Sequence, residues 1–165
     1  MRTLVVFCNP VPDSFGACVR DEIISSISPH EARLVDLYGG RDLPRPFGQH
    51  DVGALQWAEA VVLTYPTFWS SFPAPLMAWV EDGLDRELWR GIHRVVAVAT
   101  HGSSRLVNML SGGIDRRIVR RGLPRLMAPG AYGRFIALYS MDTIDDDQRR
   151  KFLASLPLTL GGALD

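Results

Sequence analysis

Ala60-Val61-Val62-Leu63-Thr64-Tyr65-Pro66-Thr67-Phe68-Trp69-Ser70-Ser71-Phe72-Pro73-Ala74-Pro75-Leu76-Met77-Ala78-Trp79-Val80 is a run of 21 residues without a charge. By length alone it matches a bilayer span. Its punctuation argues otherwise. Pro66, Pro73 and Pro75, together with Thr64, Thr67, Ser70 and Ser71, divide it into a short apolar run, a polar turn and a second apolar run. The spacing predicts a strand, a loop and a helix, and no insertion into a membrane.

Outward from this segment the same alternation repeats. Apolar runs of strand length cover Leu4 to Cys8, Arg33 to Leu37, Ala60 to Tyr65, Arg94 to Thr100 and Arg134 to Ser140. Most do not alternate with polar residues, the pattern of parallel strands covered on both faces. Helix-length stretches lie between and after them: Gly16 to Ile27, Gln49 to Ala58, Ala74 to Leu84, Leu106 to Leu126 and Ile144 to Leu156. This alternation predicts an α/β doubly wound sandwich, a five-stranded parallel sheet in the order 2-1-3-4-5 with helices on both faces. In the last helix Asp142 or Thr143 is the expected cap, and Asp145 to Asp147 place negative charge in the first turn rather than around a metal. The loop from Tyr38 to His50, rich in glycine and proline, is the most linker-like stretch.

The composition suits one domain spanning residues 1–165. Of its 165 residues 47% are hydrophobic and 22% charged, enough apolar material for a core and too much for a disordered chain. Its 18 Lys and Arg balance 18 Asp and Glu. A zero net charge supplies no global field for nucleic acid or a membrane surface, so any anion must be held locally. Cys8 and Cys18 are too few for a disulfide framework or a thiolate metal site, neither is expected to be structural, and the reducing cytoplasm is the expected compartment. The apolar run near Met1 is broken early by Pro10 and Pro12, unlike a secretion signal.

In an open parallel sheet ligands sit beyond the carboxyl ends of the strands where the winding reverses, here the loops after strands one, three and four. The first, Asn9 to Gly16, lacks both the dinucleotide and the P-loop glycine patterns. It does lead into a helix, so the N–H groups of Ser14, Phe15 and Gly16, the Ser14 hydroxyl and the Asn9 amide can surround a phosphate. Alternatively, Asp13 or Ser14 serves only as the helix cap. The second loop, Tyr65 to Ala74, carries Phe68 and Trp69, which suit a flat apolar ligand, a packed loop or a dimer contact. The third, Thr100 to Ser104, offers small residues, hydroxyls and N–H groups to a polar ring edge, with the role of His101 open.

These residues resemble a known family, the flavodoxin-like NAD(P)H:quinone oxidoreductases of the DT-diaphorase kind and their shorter bacterial relatives. The likeness runs through Asn9, Pro10, Ser14 and Phe15, through Val35-Asp36-Leu37-Tyr38 and Trp57-Ala58-Glu59-Ala60, and most specifically from Pro66 to Trp79. Thr100-His101-Gly102-Ser103-Ser104 and Ala137 to Asp142 look similar to shorter members. The resemblance implies a bound FMN, or FAD, that passes hydride from NAD(P)H to quinone-like or nitro/azo acceptors in a homodimer. It implies that Asn9, Ser14, Phe15 and Gly16 hold the flavin phosphate region. Pro66, Thr67, Phe68, Trp69 and Ser70 would line the isoalloxazine, and Thr100, His101, Gly102 and Ser103 would touch its pyrimidine edge. Asn9 stands where many members have histidine, Met77 replaces a usual lysine, and His101 interrupts a threonine-glycine turn. Trp57, Phe72 and Trp89 are the expected aromatics of the dimer contact.

Other chemistries lack their parts. A serine esterase built on Ser14 needs a late histidine, and the last one is His101. His30, His50, His93 and His101 are scattered, without ligand spacing for a metal. A flavodoxin-like electron carrier or an ancillary regulatory subunit is the remaining non-enzymatic alternative. Between Ile114 and Leu126 stand Arg116, Arg117, Arg120, Arg121 and Arg125 against one acid, Asp115. The stretch is read either as a solvated basic face or as a site for the 2'-phosphate of NADPH.

Overall fold

Strands rich in Val, Leu and Ala stack side by side because both of their faces can be buried. The computed structural model describes residues 1–165 except Pro29. It has five strands, β1 (Thr3–Phe7), β2 (Ala32–Asp36), β3 (Ala60–Pro66), β4 (Arg94–Thr100) and β5 (Tyr132–Leu138), all parallel in the expected order β2-β1-β3-β4-β5. The central strands are buried along their length, with only Pro66, Arg94 and Thr100 at strand ends partly exposed. Successive side chains point to opposite faces. Leu4, Val6, Leu63, Val95 and Ala97 therefore pack on one side, and Val5, Val62, Val96 and Val98 on the other.

Helices cover both sides. Against Val5 and Val62 lie α1 (Phe15–Ser25), through Val19 and Ile23, and α7 (Asp146–Leu164), through Leu156 and Leu160. The opposite face carries α2 (Gln49–Trp57), α3 (Ala74–Asp82) and the short α4 (Arg86–Trp89), with Leu55, Leu76 and Trp89 in the core. The uncharged segment from Ala60 to Val80 is strand, turn and helix as its prolines require. No described helix is long and apolar enough to cross a membrane.

The Tyr38 to His50 loop is strapped down rather than free. Arg45 donates to both oxygens of the fully buried Asp51 at 2.7 and 2.6 Å, and the Trp79 indole N–H donates to Oδ1 at 2.8 Å. Burial works against the charge of Asp51, yet these donors and the Gly48 N–H hold its carboxyl below the usual range.

Four expectations need correction. The stretch from Leu106 to Leu126 is not one helix but α5 (Arg105–Leu110), α6 (Ile114–Arg117), a π turn over Ile118–Gly122 and a 3-10 turn over Leu123–Arg125. Gly112 and Gly113 interrupt it with φ of 90° and 48°, backbone that glycine adopts without a Cβ clash. The last helix is capped by Asp145, not by Asp142 or Thr143. It continues through Pro157 to Leu164, because burial of Leu156 and Leu160 outweighs the proline penalty of about 3 kcal/mol. Cys8 is part of the core, where burial pushes its thiol up to about 12. Finally, Phe72 and Trp89 are buried, and Trp57 is half-buried beneath the Arg33 guanidinium at 4.1 Å. Phe72 packs edge-on against Tyr65 at 5.0 Å, and the Trp89 N–H reaches the Gly83 carbonyl at 2.8 Å. Those three aromatics do not form an exposed face.

Candidate active site at the carboxyl edge of the sheet

The tips after β3, β4 and β5 are laced together by backbone bonds. Thr67 N–H donates to the Thr100 carbonyl at 2.8 Å, His101 N–H to Leu138 at 2.8 Å, Met141 N–H to His101 at 2.9 Å and Ser140 N–H to Ser103 at 3.0 Å. Since β1 pairs with β3, the loop after β1 stands beside them.

In that first loop Ser14 is the cap of α1, its hydroxyl oxygen accepting from Ala17 N–H at 3.3 Å. The Asn9 amide donates to the same oxygen at 2.9 Å, while Asn9 Oδ1 accepts from Val11 N–H. Both bonds use the oxygen of Ser14 as acceptor, so its proton remains available to a ligand. Phe15 and Gly16 occupy the first helical turn, where N–H groups have no intrahelical acceptor. A Cβ on Gly16 would sit 2.6 Å from Asn9 Nδ2, so only glycine leaves the amide in place. The Phe15 ring itself packs towards the α1 and α7 core.

The second loop is a tight hairpin. Phe68 and Ser71 exchange backbone bonds at 3.3 and 3.0 Å, and Trp69 and Ser70 between them have φ of 52° and 57°. Two consecutive left-handed residues make a type I' turn, a geometry natural to Asn-Gly and strained for tryptophan. The turn presents Phe68 at 55% and Trp69 at 95% exposure. Ser70 faces inward, and its carbonyl accepts from Ile114 N–H at 3.0 Å, tying the turn to α6.

The third loop rests on a buried histidine. His101 Nδ1 lies 2.9 Å from Thr67 Oγ1 and 3.0 Å from Asn108 Nδ2, and its ring stacks on Tyr139 at 4.6 Å. With Asn108 donating to Nδ1, the proton sits on Nε2, which has no partner among the described residues. Burial lowers the His101 pKa to about 4, leaving the ring neutral near pH 7. Its side chain therefore braces the loops from behind, and its backbone N–H and carbonyl are already bonded. Gly102 and Ser103 remain on the accessible side.

Three acidic or polar residues belong to this region that sequence reasoning did not assign to it. Asn108 holds His101. Asp115 is fully buried, accepts from Arg116 N–H at 2.7 Å and Tyr65 OH at 3.3 Å, and has its pKa raised by burial to about 6. Asp142, expected as a cap, instead places Oδ2 where it would be 2.7 Å from any Cβ on Gly102. The detectable signal was polarity out of place: Asn108 and Asp115 interrupt what reads as one amphipathic helix.

In the first loop a hydroxyl proton, an amide and free N–H groups converge without a cation, a donor set that suits a phosphate. A flat ring fits the second, where two exposed aromatics are held out by the backbone. Among the described residues no cluster of His, Cys, Asp or Glu could hold a metal.

Comparisons with known proteins agree with this architecture. The family model Flavodoxin_2, described as "Flavodoxin-like fold", matches residues 1–106. No curated protein sequence matches significantly. Among solved structures, Smu.1420 from Streptococcus mutans UA159 is similar at a TM-score of 0.80 and 17% identity, covering 96% of this chain and 98% of its own. The NAD(P)H:quinone oxidoreductase from Methanothermobacter marburgensis is similar at 0.74 and 19% identity, covering 96% and 94%. An FMN-dependent NADH-azoreductase from Bacillus anthracis, solved with FMN, is similar at 0.73 and 11% identity over 100% of both chains. At these identities the likeness is one of fold. With the family model matching well over half its length and the sheet in the order 2-1-3-4-5, the chain belongs to the Flavodoxin_2 family of flavodoxin-like proteins.

Proposed function

We propose that the chain is a flavin-dependent oxidoreductase that works as one domain spanning residues 1–165. It binds FMN, or alternatively FAD, and uses NAD(P)H to reduce quinone-like or nitro/azo acceptors. The observation that carries this reading is the turn at Phe68 and Trp69. Its left-handed backbone costs about 1 kcal/mol or more per strained residue, yet it leaves Trp69 95% exposed, so folding gains nothing from that side chain. A ligand-binding role accounts for the cost. Support comes also from the fold neighbours whose names state quinone oxidoreductase and FMN-dependent azoreductase activity.

The bound flavin would supply the hydride chemistry. In this reading the Ser14 hydroxyl, the Asn9 amide and the N–H groups of Ser14, Phe15 and Gly16 hold its phosphate. Pro66, Thr67, Phe68 and Trp69 line one ring face and leave the other to donor and acceptor. Gly102 and Ser103 address the pyrimidine edge, where N–H groups stabilise negative charge. Thr100 and Ser70 position these loops through their carbonyls, and neutral His101 keeps Thr67 and Tyr139 in place.

The protein is proposed to act in the cytoplasm, consistent with Cys8 and Cys18 both being free thiols. It is proposed to act as a homodimer. The face for that contact is α5, whose Leu106, Val107, Met109 and Leu110 are all half or more exposed.

The test is an absorption spectrum of purified protein with added FMN, followed by NADH and then a quinone. A flavin band that bleaches and recovers supports the enzyme. Binding without bleaching identifies a carrier or regulatory subunit, and protein that stays colourless with no calorimetric heat removes the reading.

A further inference from the structure

We propose that the arginine segment following α5 is a phosphate site that reads the 2'-phosphate of the nucleotide donor, so that the protein prefers NADPH to NADH. This rests on the oxidoreductase reading above and names its donor.

The segment is concave as well as basic. Arg116, Arg117, Arg120 and Arg121 alone line a cavity of about 460 Å³. A second, of about 410 Å³, shares Arg117 and Arg121 and extends to Arg125. A third, of about 220 Å³, shares Arg116 and Arg117 and reaches Arg105, Gly113 and Tyr139. The three shared walls make one trough.

Its charge is unanswered. Among the described residues no carboxylate lies within 4.0 Å of Arg116, Arg117, Arg120, Arg121 or Arg125 in an ion pair, although eight other cationic groups have one. The single acid in the segment, Asp115, is buried and turned to Tyr65. In a chain of zero net charge such a cluster is a local field, suited to a small polyanion rather than to nucleic acid. All its cations are arginine, whose planar fork matches two phosphate oxygens at once.

The trough also begins at the candidate site. Ile114 N–H is bonded to the Ser70 carbonyl of the aromatic turn, and Tyr139 at its near end stacks on His101. The backbone there is closely seated on β5: Ile118–Gly122 is a π turn, and the Val119 carbonyl fills the place a Cβ on Gly133 would need. Such turns recur at functional sites. A dinucleotide whose nicotinamide end reached the aromatic turn would have this row of arginines within the same continuous stretch of surface for its 2'-phosphate.

The test uses calorimetry with adenosine 2',5'-bisphosphate, adenosine 5'-monophosphate and inorganic phosphate, on wild type and on R117S/R121S. Both side chains are exposed and unpaired, so the variant folds, and unchanged melting checks this. Expected is tighter binding of the bisphosphate than of the monophosphate by roughly tenfold or more, lost in the variant, as removal of charge-assisted bonds implies. In turnover, the ratio of KM for NADH to KM for NADPH falls towards one in the variant. Equal binding of the two nucleotides by wild type overturns the inference even if the flavin bleaches, and so does a bisphosphate preference that survives in the variant. Inorganic phosphate binding as tightly as the bisphosphate overturns it too. Bisphosphate preference lost in R117S/R121S, in protein that takes up no flavin, sustains the phosphate site while the oxidoreductase reading falls.

Discussion

The side-chain amide of Asn9 donates to the hydroxyl oxygen of Ser14 at 2.9 Å, across the loop joining β1 to α1. This bond saturates Ser14 as an acceptor and leaves it one proton to give. The loop has no cation, and its one charged side chain is Asp13, so phosphate affinity there depends on hydrogen bonds.

Replacement of Ser14 separates the helix cap from the phosphate contact. Ser14→Ala removes both, with a cost of about 1 kcal/mol in stability and a rise in the FMN Kd of roughly tenfold or more. Ser14→Asp retains a good cap, so its melting temperature stays near wild type, but its carboxylate repels the phosphate. FMN titration followed by fluorescence, beside thermal melting, checks the pair. An Asp variant that binds FMN as wild type does removes Ser14 from the phosphate site.

Trp69 offers the opposite separation. Its φ of 52° is natural for glycine, and its ring is almost wholly exposed. In Trp69→Gly the relief of strain and the added freedom of the unfolded chain are each about 1 kcal/mol and oppose one another, so stability changes little. Loss of the aromatic wall weakens flavin binding by roughly tenfold, since a stacked aromatic contact contributes about 1 kcal/mol beyond area. A variant that melts much lower but keeps its flavin would assign Trp69 to folding instead.

The contrast between these two residues explains how much was legible. The positions of the strands and of the three loops along the chain follow from apolar runs and proline punctuation, which act locally and leave their mark in composition. Ser14 as a helix cap and Phe68 and Trp69 as exposed aromatics were visible because a capping residue before a helix and aromatics in a polar turn are local anomalies. Phe72 and Trp89 were not, because whether an aromatic near a loop faces solvent depends on what packs over it, here Tyr65 and Gly83. The roles of Asn108, Asp115 and Asp142 likewise arise from pairings with His101, Tyr65 and Gly102 that no spacing encodes.

Two buried groups give the stability a pH dependence with opposing parts. His101 is neutral in the fold with its pKa lowered from 6.5 to about 4, so the unfolded chain takes up its proton first and stability falls as pH drops from 6.5 towards 4. Asp115 has its pKa raised from 3.8 to about 6, so the folded chain takes up that proton first and stability rises as pH drops from 6 towards 3.8. Each contributes about 2–3 kcal/mol over its window. In wild type they largely offset between pH 6 and 4. Asp115→Asn removes the rising part, and denaturant unfolding then shows a steep loss of stability on acidification; a profile as flat as wild type in that variant would contradict the assignment.

Gly133 on β5 faces the Val119 carbonyl of the π turn, and this contact decides whether the arginine row can lie on the sheet at all. A Cβ built at Gly133 would overlap the carbonyl oxygen and sit 2.7 Å from its carbon and 3.0 Å from the Arg120 Cα. These are backbone atoms, which cannot swing aside as a side-chain end does. Gly133→Ala therefore forces the turn away from β5 and uncovers Val119 and Leu123, both buried. The expected cost is about 3 kcal/mol, at the upper end for an inserted methyl, read as a lower urea midpoint with unchanged slope. The shift also displaces Arg120 and Arg121 relative to Arg116, so any nucleotide preference drops in the folded fraction. Gly112→Ala is the control: its φ of 90° strains alanine, but nothing lies within 4 Å of the added atom, so it should destabilise without moving the π turn. Equal nucleotide preference in both variants would detach the arginine row from its seat on Gly133.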